Sequence, residues 1–109
     1  MVIYYSQTGQ LKQVVDSLLS PLAADSRFSI DYMELRPAVA YPFPWTRDAF
    51  LDVFPESVLE MPIDLKPFEA DYSGPYDLIV LAFQPWYLSP SLPISAFLKS
   101  PDAAGLLRG

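Results

Sequence analysis

Apolar and polar residues follow two different spacings along the first third of the chain. Val2 to Tyr5 is a short apolar run of β-branched and aromatic residues, which predicts a buried strand. Polar residues follow at once, and apolar side chains then recur at helical spacing opposite a polar face. The apolar positions of this predicted amphipathic helix are Leu11, Val14, Val15, Leu18, Leu19 and Leu22. Pro21 should limit the helix, because proline cannot donate to the backbone ladder.

A period of two marks the next element. Phe28, Ile30 and Tyr32 alternate with polar residues and predict a second strand that runs to about Leu35. A strand, a helix and a second strand in this order predict a right-handed parallel unit.

The last third repeats the order of strand and helix. The stretch YDLIVLAF, Tyr76 to Phe83, is almost entirely apolar, which is typical of a parallel strand covered on both faces. A helix should follow, with Pro93 in its first turn, an end near Lys99 and an apolar face of Ile94, Phe97 and Leu98. Residues 103–109 prolong or follow that helix.

Residues 36–75 have a different character. They hold more than half of the chain's 12 prolines. Thr46 can cap a short helix over residues 47–54, which Pro55 should stop. An apolar segment of this length is not expected to be a free linker, so we interpret it as an ordered insertion that folds over the domain or over a partner. Its aromatic residues are Tyr41, Phe43, Trp45, Phe50, Phe54, Phe68 and Tyr72.

Composition bounds the class of protein. The 109 residues are 51% hydrophobic and 18% charged, which predicts one globular domain over residues 1–109. The net charge is −6 without a basic cluster, so binding to nucleic acid or to an anionic membrane surface is not expected. No apolar run approaches the roughly 20 residues of a membrane span. The absence of cysteine favours a cytoplasmic setting.

The chain contains no histidine and no cysteine. This excludes a cysteine nucleophile, a Ser-His-Asp relay and the usual zinc sites, so no metal site and no catalytic residue are predicted. If the protein is an enzyme, a bound cofactor should carry the difficult step.

The polar exit of the first strand is the first candidate site. Ser6, Gln7, Thr8 and Gly9 stand between the strand and the predicted helix. Backbone N–H groups at a helix N-terminus have no helical partner and favour an anion, and Gly9 lets the backbone bend. The alternative is that Ser6 or Thr8 only caps the helix.

The exit of the third strand is the second candidate site. Gln84, Pro85, Trp86 and Tyr87 leave the strand at the carboxyl end, where open parallel sheets bind ligands. Trp86 and Tyr87 offer flat faces for a ring. The alternative is that both aromatic side chains fill the core beneath the insertion.

Both stretches resemble the flavodoxin family. YYSQTGQLKQVV is similar to the phosphate loop and first helix of flavodoxins, whose pattern is Ser/Thr-x-Thr-Gly-x-Thr. YDLIVLAFQPWYLSPSLPISAFLK is similar to their third strand and flavin loop, most of all to the Pro-x-Tyr/Trp stretch of flavodoxin-fold quinone reductases. Nearly the whole chain resembles the N-terminal part of flavodoxin-like proteins labelled dialkylresorcinol condensing enzyme.

This resemblance implies an α/β fold with a flavodoxin-like open parallel sheet and a site for flavin mononucleotide (FMN). The phosphate would bind at Ser6, Gln7, Thr8, Gly9, Gln10 and Leu11, and the ring would lie against Gln84, Pro85, Trp86 and Tyr87. Leu11 departs from the pattern because flavodoxins have a hydroxyl residue there. The family also has five strands where this sequence predicts three, so we expect a sheet truncated after the third strand and its helix, and a cofactor site that is incomplete.

Three functions remain open. The first is a flavodoxin-like FMN-binding domain for electron or hydride transfer, with the flavin weakly bound or absent. The second is a non-catalytic module of the same fold that binds a partner through the insertion. The third is part of a condensing enzyme of dialkylresorcinol biosynthesis, which the lack of Cys and His disfavours. The third strand would be an unguarded edge in each case, so we also expect self-association into a homo-oligomer.

Overall fold

The computed structural model describes residues 1–72 and 74–108 and has a mixed α/β architecture. Three strands form a parallel sheet in the order β2-β1-β3, and Val2 of the central strand lies opposite both Tyr32 and Val80. A separate pair of short strands, β4 and β5, is antiparallel. In chain order the elements are β1 (Val2–Tyr4), α1 (Gln10–Ala23), β2 (Tyr32–Glu34), α2 (Arg47–Val58), β3 (Val80–Ala82), β4 (Pro85–Trp86), β5 (Ser89–Pro90), α3 (Leu92–Leu98) and α4 (Pro101–Leu106).

The central strand β1 separates two apolar clusters. Side chains alternate across a strand, so Val2 and Tyr4 face α1, where they pack with Val15 and Leu19. Residues 1, 3 and 5 face the other side, where they pack with α3, α4 and parts of the insertion. Ile3 is fully buried, because both faces of β1 are covered.

Helix α1 continues beyond the predicted limit at Pro21, which lies inside it. Pro21 cannot donate a hydrogen bond to the carbonyl of Ser17. The hydroxyl of Ser20 donates to that carbonyl instead, at 3.0 Å, and so replaces the missing bond. The apolar stripe is also wider than the buried face, because Val14 and Leu18 are exposed.

Helix α2 begins as predicted but ends later. The Thr46 side chain accepts a hydrogen bond from the Ala49 N–H at 3.2 Å, which caps the helix. The helix then passes through Pro55 to Val58, so the prediction that Pro55 stops it is wrong. Pro55 forfeits a bond to the carbonyl of Leu51, and Leu51 lies on the exposed side of the helix, where water can satisfy that carbonyl.

The second and third strands are shorter than predicted. The segment from Asp25 to Phe28 forms a turn, in which the Phe28 N–H donates to the Asp25 carbonyl at 3.1 Å, and β2 begins only at Tyr32. The third strand covers Val80–Ala82 and is half-buried, which corrects the expectation that both of its faces are covered. The reason is its position, since it has a neighbouring strand on one side only.

The insertion packs along β2 and against the cluster that contains Ile3. Pro37 forms an antiparallel bridge with Leu65, and the Tyr72 hydroxyl donates to the Tyr32 carbonyl at 2.8 Å. Tyr41 and Phe68 contact the core, whereas the Phe43 ring is 66% exposed. Phe50 and Phe54 are also about half exposed, so the insertion is ordered but leaves part of its aromatic surface in contact with water.

Helix α3 agrees with the predicted position of Pro93, and Ile94 and Phe97 are fully buried. Leu98, which the spacing placed on the same apolar face, is 42% exposed. Helix α4 is a separate short helix, capped by the Ser100 side chain, which accepts from the Ala103 N–H at 3.3 Å. Within the described residues, every helix is too short or too polar to cross a membrane.

Candidate functional site

The loop after β1 turns sharply into α1. Gly9 has a φ of 86°, the left-handed conformation that glycine adopts without strain, and α1 begins at the next residue. The Ser6 hydroxyl accepts a long hydrogen bond of 3.4 Å from the Lys12 N–H, and the Gly9 carbonyl accepts from the Gln13 N–H at 3.1 Å. Ser6 therefore serves as a weak cap, which is the alternative that the sequence left open.

Several donors at this helix N-terminus lack a protein acceptor. In residues 1–72 and 74–108, the backbone N–H groups of Gln10 and Leu11 have no acceptor, and the Thr8 side chain is exposed and unbonded. The first turn of α1 contains no acidic side chain that would compete with an anion. A helix of 14 residues also directs the positive end of its dipole at this loop. The loop can thus accept a small anion such as a phosphate group.

The nearest cation is directed away from the loop. The Lys12 ammonium forms an ion pair with Asp16 at 2.6 Å and lies 4.5 Å from the centre of the Tyr32 ring on β2. The hydrogen bond to Asp16 raises the pKa of Lys12, so this side chain stays charged and paired. An anion at the loop would therefore depend on backbone and hydroxyl donors.

The segment after β3 is a tight hairpin, which the sequence did not predict. Strands β4 and β5 pair Trp86 with Ser89, and the two residues between them have positive φ angles, 51° at Tyr87 and 67° at Leu88. Two-residue hairpin turns of type I′ require positive φ at both positions and usually contain Asn or Gly, so Tyr87 and Leu88 hold an unfavourable conformation. Leu88 is fully exposed at the tip.

Trp86 lies inside an aromatic cluster. The centre of its ring is 5.0 Å from that of Tyr41, 5.6 Å from that of Trp45 and 5.9 Å from that of Tyr5, and all three contacts are edge-to-face. Tyr41 and Trp45 belong to the insertion. Trp86 therefore fills the core beneath the insertion, as the second of the two interpretations of this residue held.

Tyr87 is also covered by the insertion. Its ring packs on Phe54, with the ring centres 4.7 Å apart, and on Phe50, with the centres 5.1 Å apart. Its hydroxyl donates to the carbonyl of Phe50. The hairpin thus packs against α2 through Tyr87. Of the other two predicted residues in this segment, Gln84 is half-buried and Pro85 is exposed.

The two predicted loops lie at the same end of neighbouring parallel strands, and the insertion bridges them. The Gln7 side chain donates from Nε2 to the carbonyl of Pro42 at 3.0 Å, next to Tyr41, which contacts Trp86. A cavity of about 1010 Å³ lies elsewhere and a second, of about 510 Å³, is lined by Tyr41, Pro42 and Trp45 of the insertion; none of the ten predicted residues lines either of them. The phosphate end of the predicted site is open, and the ring end is filled by protein.

Sequence reasoning missed Tyr5, Tyr41 and Trp45 as neighbours of Trp86. Tyr5 follows β1 directly, so its place at the carboxyl end of the sheet was available from the sequence. The insertion residues carry no pattern that states which loop they contact.

Burial determines the ionisation of the tyrosines in this cluster. It raises the pKa of the Tyr5 phenol to about 12, and Tyr41 adds to this effect. It also raises the pKa of Tyr41, with a smaller contribution from Glu56. Both phenols are neutral at physiological pH and add no negative charge that would repel an anion at the neighbouring loop. In the part of the chain that the structure describes, no group of three or more acidic side chains is placed to hold a metal ion.

Comparisons of this chain with protein-family models, with curated proteins and with solved structures found no match.

Proposed function

We propose that the chain is a flavodoxin-like module that binds a phosphorylated ligand, FMN by resemblance, through the loop of residues 6–11. The order β2-β1-β3 supports this proposal, because it corresponds to the 2-1-3 portion of the flavodoxin-like strand order. In such sheets ligands bind outside the carboxyl ends of the strands, where both predicted loops lie.

One observation carries the proposal. The Thr8 hydroxyl and the N–H groups of Gln10 and Leu11 have no acceptor in the described part of the chain, and the left-handed Gly9 presents them at the N-terminus of a long helix. These groups fit the phosphate end of FMN. The hydroxyl that flavodoxins carry at the position of Leu11 is missing, so the affinity should be low.

The ring end fits FMN only after a rearrangement. Tyr41 and Trp45 lie against Trp86, where the resemblance implies the flavin ring. A ring can bind there if these two side chains move away with the insertion. A bound flavin would supply the electron or hydride transfer. The protein would supply the phosphate anchor and, after the movement, an aromatic wall.

A second function has its own support. The closed aromatic cluster and the bond from Gln7 to Pro42 favour a module in which the insertion permanently occupies the ring site. Such a module would bind simple phosphorylated compounds or a protein partner without redox chemistry. The condensing reaction has no support from the chain, because it contains neither Cys nor His to carry an acyl group.

Titrations with FMN, riboflavin and inorganic phosphate, followed by backbone amide NMR shifts, test the proposal. We expect FMN and phosphate to move the Gln10 and Leu11 amide signals and to compete with each other, whereas riboflavin, which lacks the phosphate, leaves them unchanged. The Leu11→Thr variant should bind FMN more tightly, by about fivefold for one added hydrogen bond. If FMN binds without moving these signals, the phosphate anchor is wrong.

The Trp45→Ala variant separates the two functions. If the insertion gates the ring site, removal of the Trp45 ring should strengthen FMN binding and leave inorganic phosphate binding unchanged. If the insertion occupies the ring site permanently, the ratio of the FMN affinity to the phosphate affinity should be the same in this variant as in the wild type. A thermal melt of each variant establishes that it is folded at the temperature of the titration.

A further inference from the structure

The two outer edges of the sheet, β2 and β3, differ in how far other parts of the chain cover them. Beyond the end of β2, the Ala38 N–H donates to the Asp64 carbonyl at 2.8 Å and the Lys66 N–H donates to the Arg36 carbonyl at 2.7 Å, so both bonds join two parts of the insertion. The Tyr72 hydroxyl donates to the Tyr32 carbonyl. The insertion therefore covers the β2 edge at Tyr32 and continues beside the end of the strand.

The β3 edge has no such cover. The Val80 N–H donates to the Met1 carbonyl at 2.9 Å, so the backbone groups of Val80 and Ala82 point toward β1. Backbone groups alternate in direction along a strand, so those of Ile79, Leu81 and Phe83 point outward. Among residues 1–72 and 74–108 these outward groups have no partner. An unguarded edge of this kind is a template for another strand.

Apolar side chains on one side of α1 lie toward the β3 edge of the sheet. Lys12 contacts Tyr32, so the Lys12 side of α1 faces β2, and the opposite side of the helix, with Val14 and Leu18, faces β3. Val14 is 57% exposed and Leu18 is 69% exposed, and Leu78 beside the strand is 61% exposed. These side chains and the open edge are together called the β3 surface here.

Charged side chains are few at the β3 surface although the chain carries a net charge of −6: Asp77 adjoins Leu78, and Asp71, Asp102 and Arg108 line one cavity with Ile79. The only charged residues of α1, Lys12 and Asp16, pair with each other on the β2 side. No charged residue follows Asp77 in the third strand. Two copies can therefore approach through this surface without placing like charges opposite each other.

We infer that a second copy of this chain binds the β3 surface about a two-fold axis that passes through Leu81. In this register β3 pairs with its counterpart in antiparallel orientation, and Leu81 lies opposite Leu81 of the second copy. Ile79 lies opposite Phe83 of the second copy. All outward-pointing N–H and C=O groups then pair, and the two copies share one sheet in the order β2-β1-β3-β3-β1-β2.

The helices support the same arrangement. A two-fold axis perpendicular to the sheet brings both α1 helices to the same face, so Val14 and Leu18 of each copy cover the half-exposed Val80 and Ala82 at the centre. The contact consists of one short strand and a few helix side chains from each copy, which predicts a reversible dimer.

Light scattering after size exclusion, over a range of protein concentrations, tests the inference. We expect a dimer that dissociates on dilution. Leu18→Lys places a charge on the β3 surface without disturbing the core and should weaken the dimer at least tenfold. Val39→Lys is the matched control, because Val39 is 82% exposed on the insertion, and it should dimerise like the wild type. A monomer at all concentrations would overturn the inference.

Introduced cysteines test the register, since the chain has no cysteine of its own. The two-fold axis through Leu81 places Val80 opposite Ala82 of the second copy in a non-hydrogen-bonded pair, where side chains are closest. A mixture of the Val80→Cys and Ala82→Cys proteins should form a cross-linked dimer under mild oxidation, whereas each variant alone should form much less. A dimer that persists in Leu18→Lys would mean that the copies meet through another surface. Equal cross-linking in the mixture and in the separate variants would mean that the strands pair in another register. Either result overturns the inference.

Discussion

The side chain of Gln7 donates a hydrogen bond to the backbone carbonyl of Pro42 at 3.0 Å and joins the loop after β1 to the insertion. The insertion continues from this bond to Tyr41, whose ring contacts Trp86 in the hairpin after β3. The two candidate loops and the insertion are therefore one connected unit. A change in the position of the insertion would alter the ring end of the site and, through Gln7, the loop at the phosphate end.

Removal of the Thr8 hydroxyl should weaken anion binding without affecting the fold. Thr8 is exposed and its side chain has no partner in residues 1–72 and 74–108, so Thr8→Ala should leave the melting temperature unchanged. Phosphate or FMN affinity should fall by about 1 kcal/mol, the typical value of one hydrogen bond. Isothermal titration or NMR measures this change. Thr8→Ser keeps the hydroxyl and should bind like the wild type, and unchanged binding by Thr8→Ala would leave helix capping as the role of the loop.

The main elements could be predicted from the sequence because their signals are local. The amphipathic spacing from Leu11 to Leu22 and the polar turn before it are enough to position a strand, a loop and a helix. The helix cap at Thr46 is also a local signal, because its hydroxyl accepts a hydrogen bond from the N–H group only three residues later. The ends of helices were less predictable. Pro21 and Pro55 both lie inside helices, and in the case of Pro21 the Ser20 hydroxyl satisfies the carbonyl that the proline leaves free.

The state of the ring site could not be predicted from the sequence. Whether Trp86 is open to a ligand depends on Tyr41 and Trp45, which are about 40 residues earlier in the chain and follow no periodic pattern. Nor did the sequence indicate the hairpin turn, because Tyr87 and Leu88 stand where Asn or Gly is usual. The sequence therefore predicted the residues of the two loops but not their accessibility.

The aromatic cluster should stabilise the insertion, and Trp45→Ala tests its contribution. The Trp45 ring is half-buried and contacts the rings of Tyr41, Phe50 and Trp86. Because a fully buried large aromatic costs about 3–5 kcal/mol when it is truncated, we expect a loss of roughly 2 kcal/mol in the free energy of unfolding in urea. Phe43→Ala is the matched control in the same loop, since Phe43 is largely exposed, and it should cost less than about 0.5 kcal/mol.

Limited proteolysis gives a second measure of the same cluster. The native chain should resist cleavage between Ala38 and Pro67, and Trp45→Ala should be cleaved there several times faster. Rapid cleavage of the wild-type chain in this range, or equal losses of stability in Trp45→Ala and Phe43→Ala, would contradict the packing of the insertion through its rings.

The cap of α2 should be worth about 1 kcal/mol. The Thr46 hydroxyl accepts the Ala49 N–H, and this bond is lost in Thr46→Ala. Urea unfolding should show the loss in full in Thr46→Ala and only a small part of it in Thr46→Ser, which keeps the acceptor. Equal destabilisation of both variants would mean that the methyl group of Thr46, rather than the cap, stabilises the helix.

Tyr5 should make the fold sensitive to alkaline pH. Burial raises the pKa of its phenol from the ordinary value of 10.0 to about 12 in the folded chain. Below pH 10 the phenol is neutral in both states and its contribution to stability is fully present. Between about pH 10 and pH 12 the unfolded chain loses this proton and the folded chain keeps it, so stability falls as pH rises. We expect this group to account for about 1–2 kcal/mol of the loss.

Urea unfolding of the wild type and of Tyr5→Phe, compared at about pH 8 and at steps up to pH 12, isolates this contribution, because the remaining tyrosines are common to both proteins. The free energies of unfolding of the two proteins should differ by a constant amount below pH 10, and the wild type should then lose stability more steeply. Parallel curves over the whole range would show that the Tyr5 phenol ionises as readily in the folded chain as in the unfolded one.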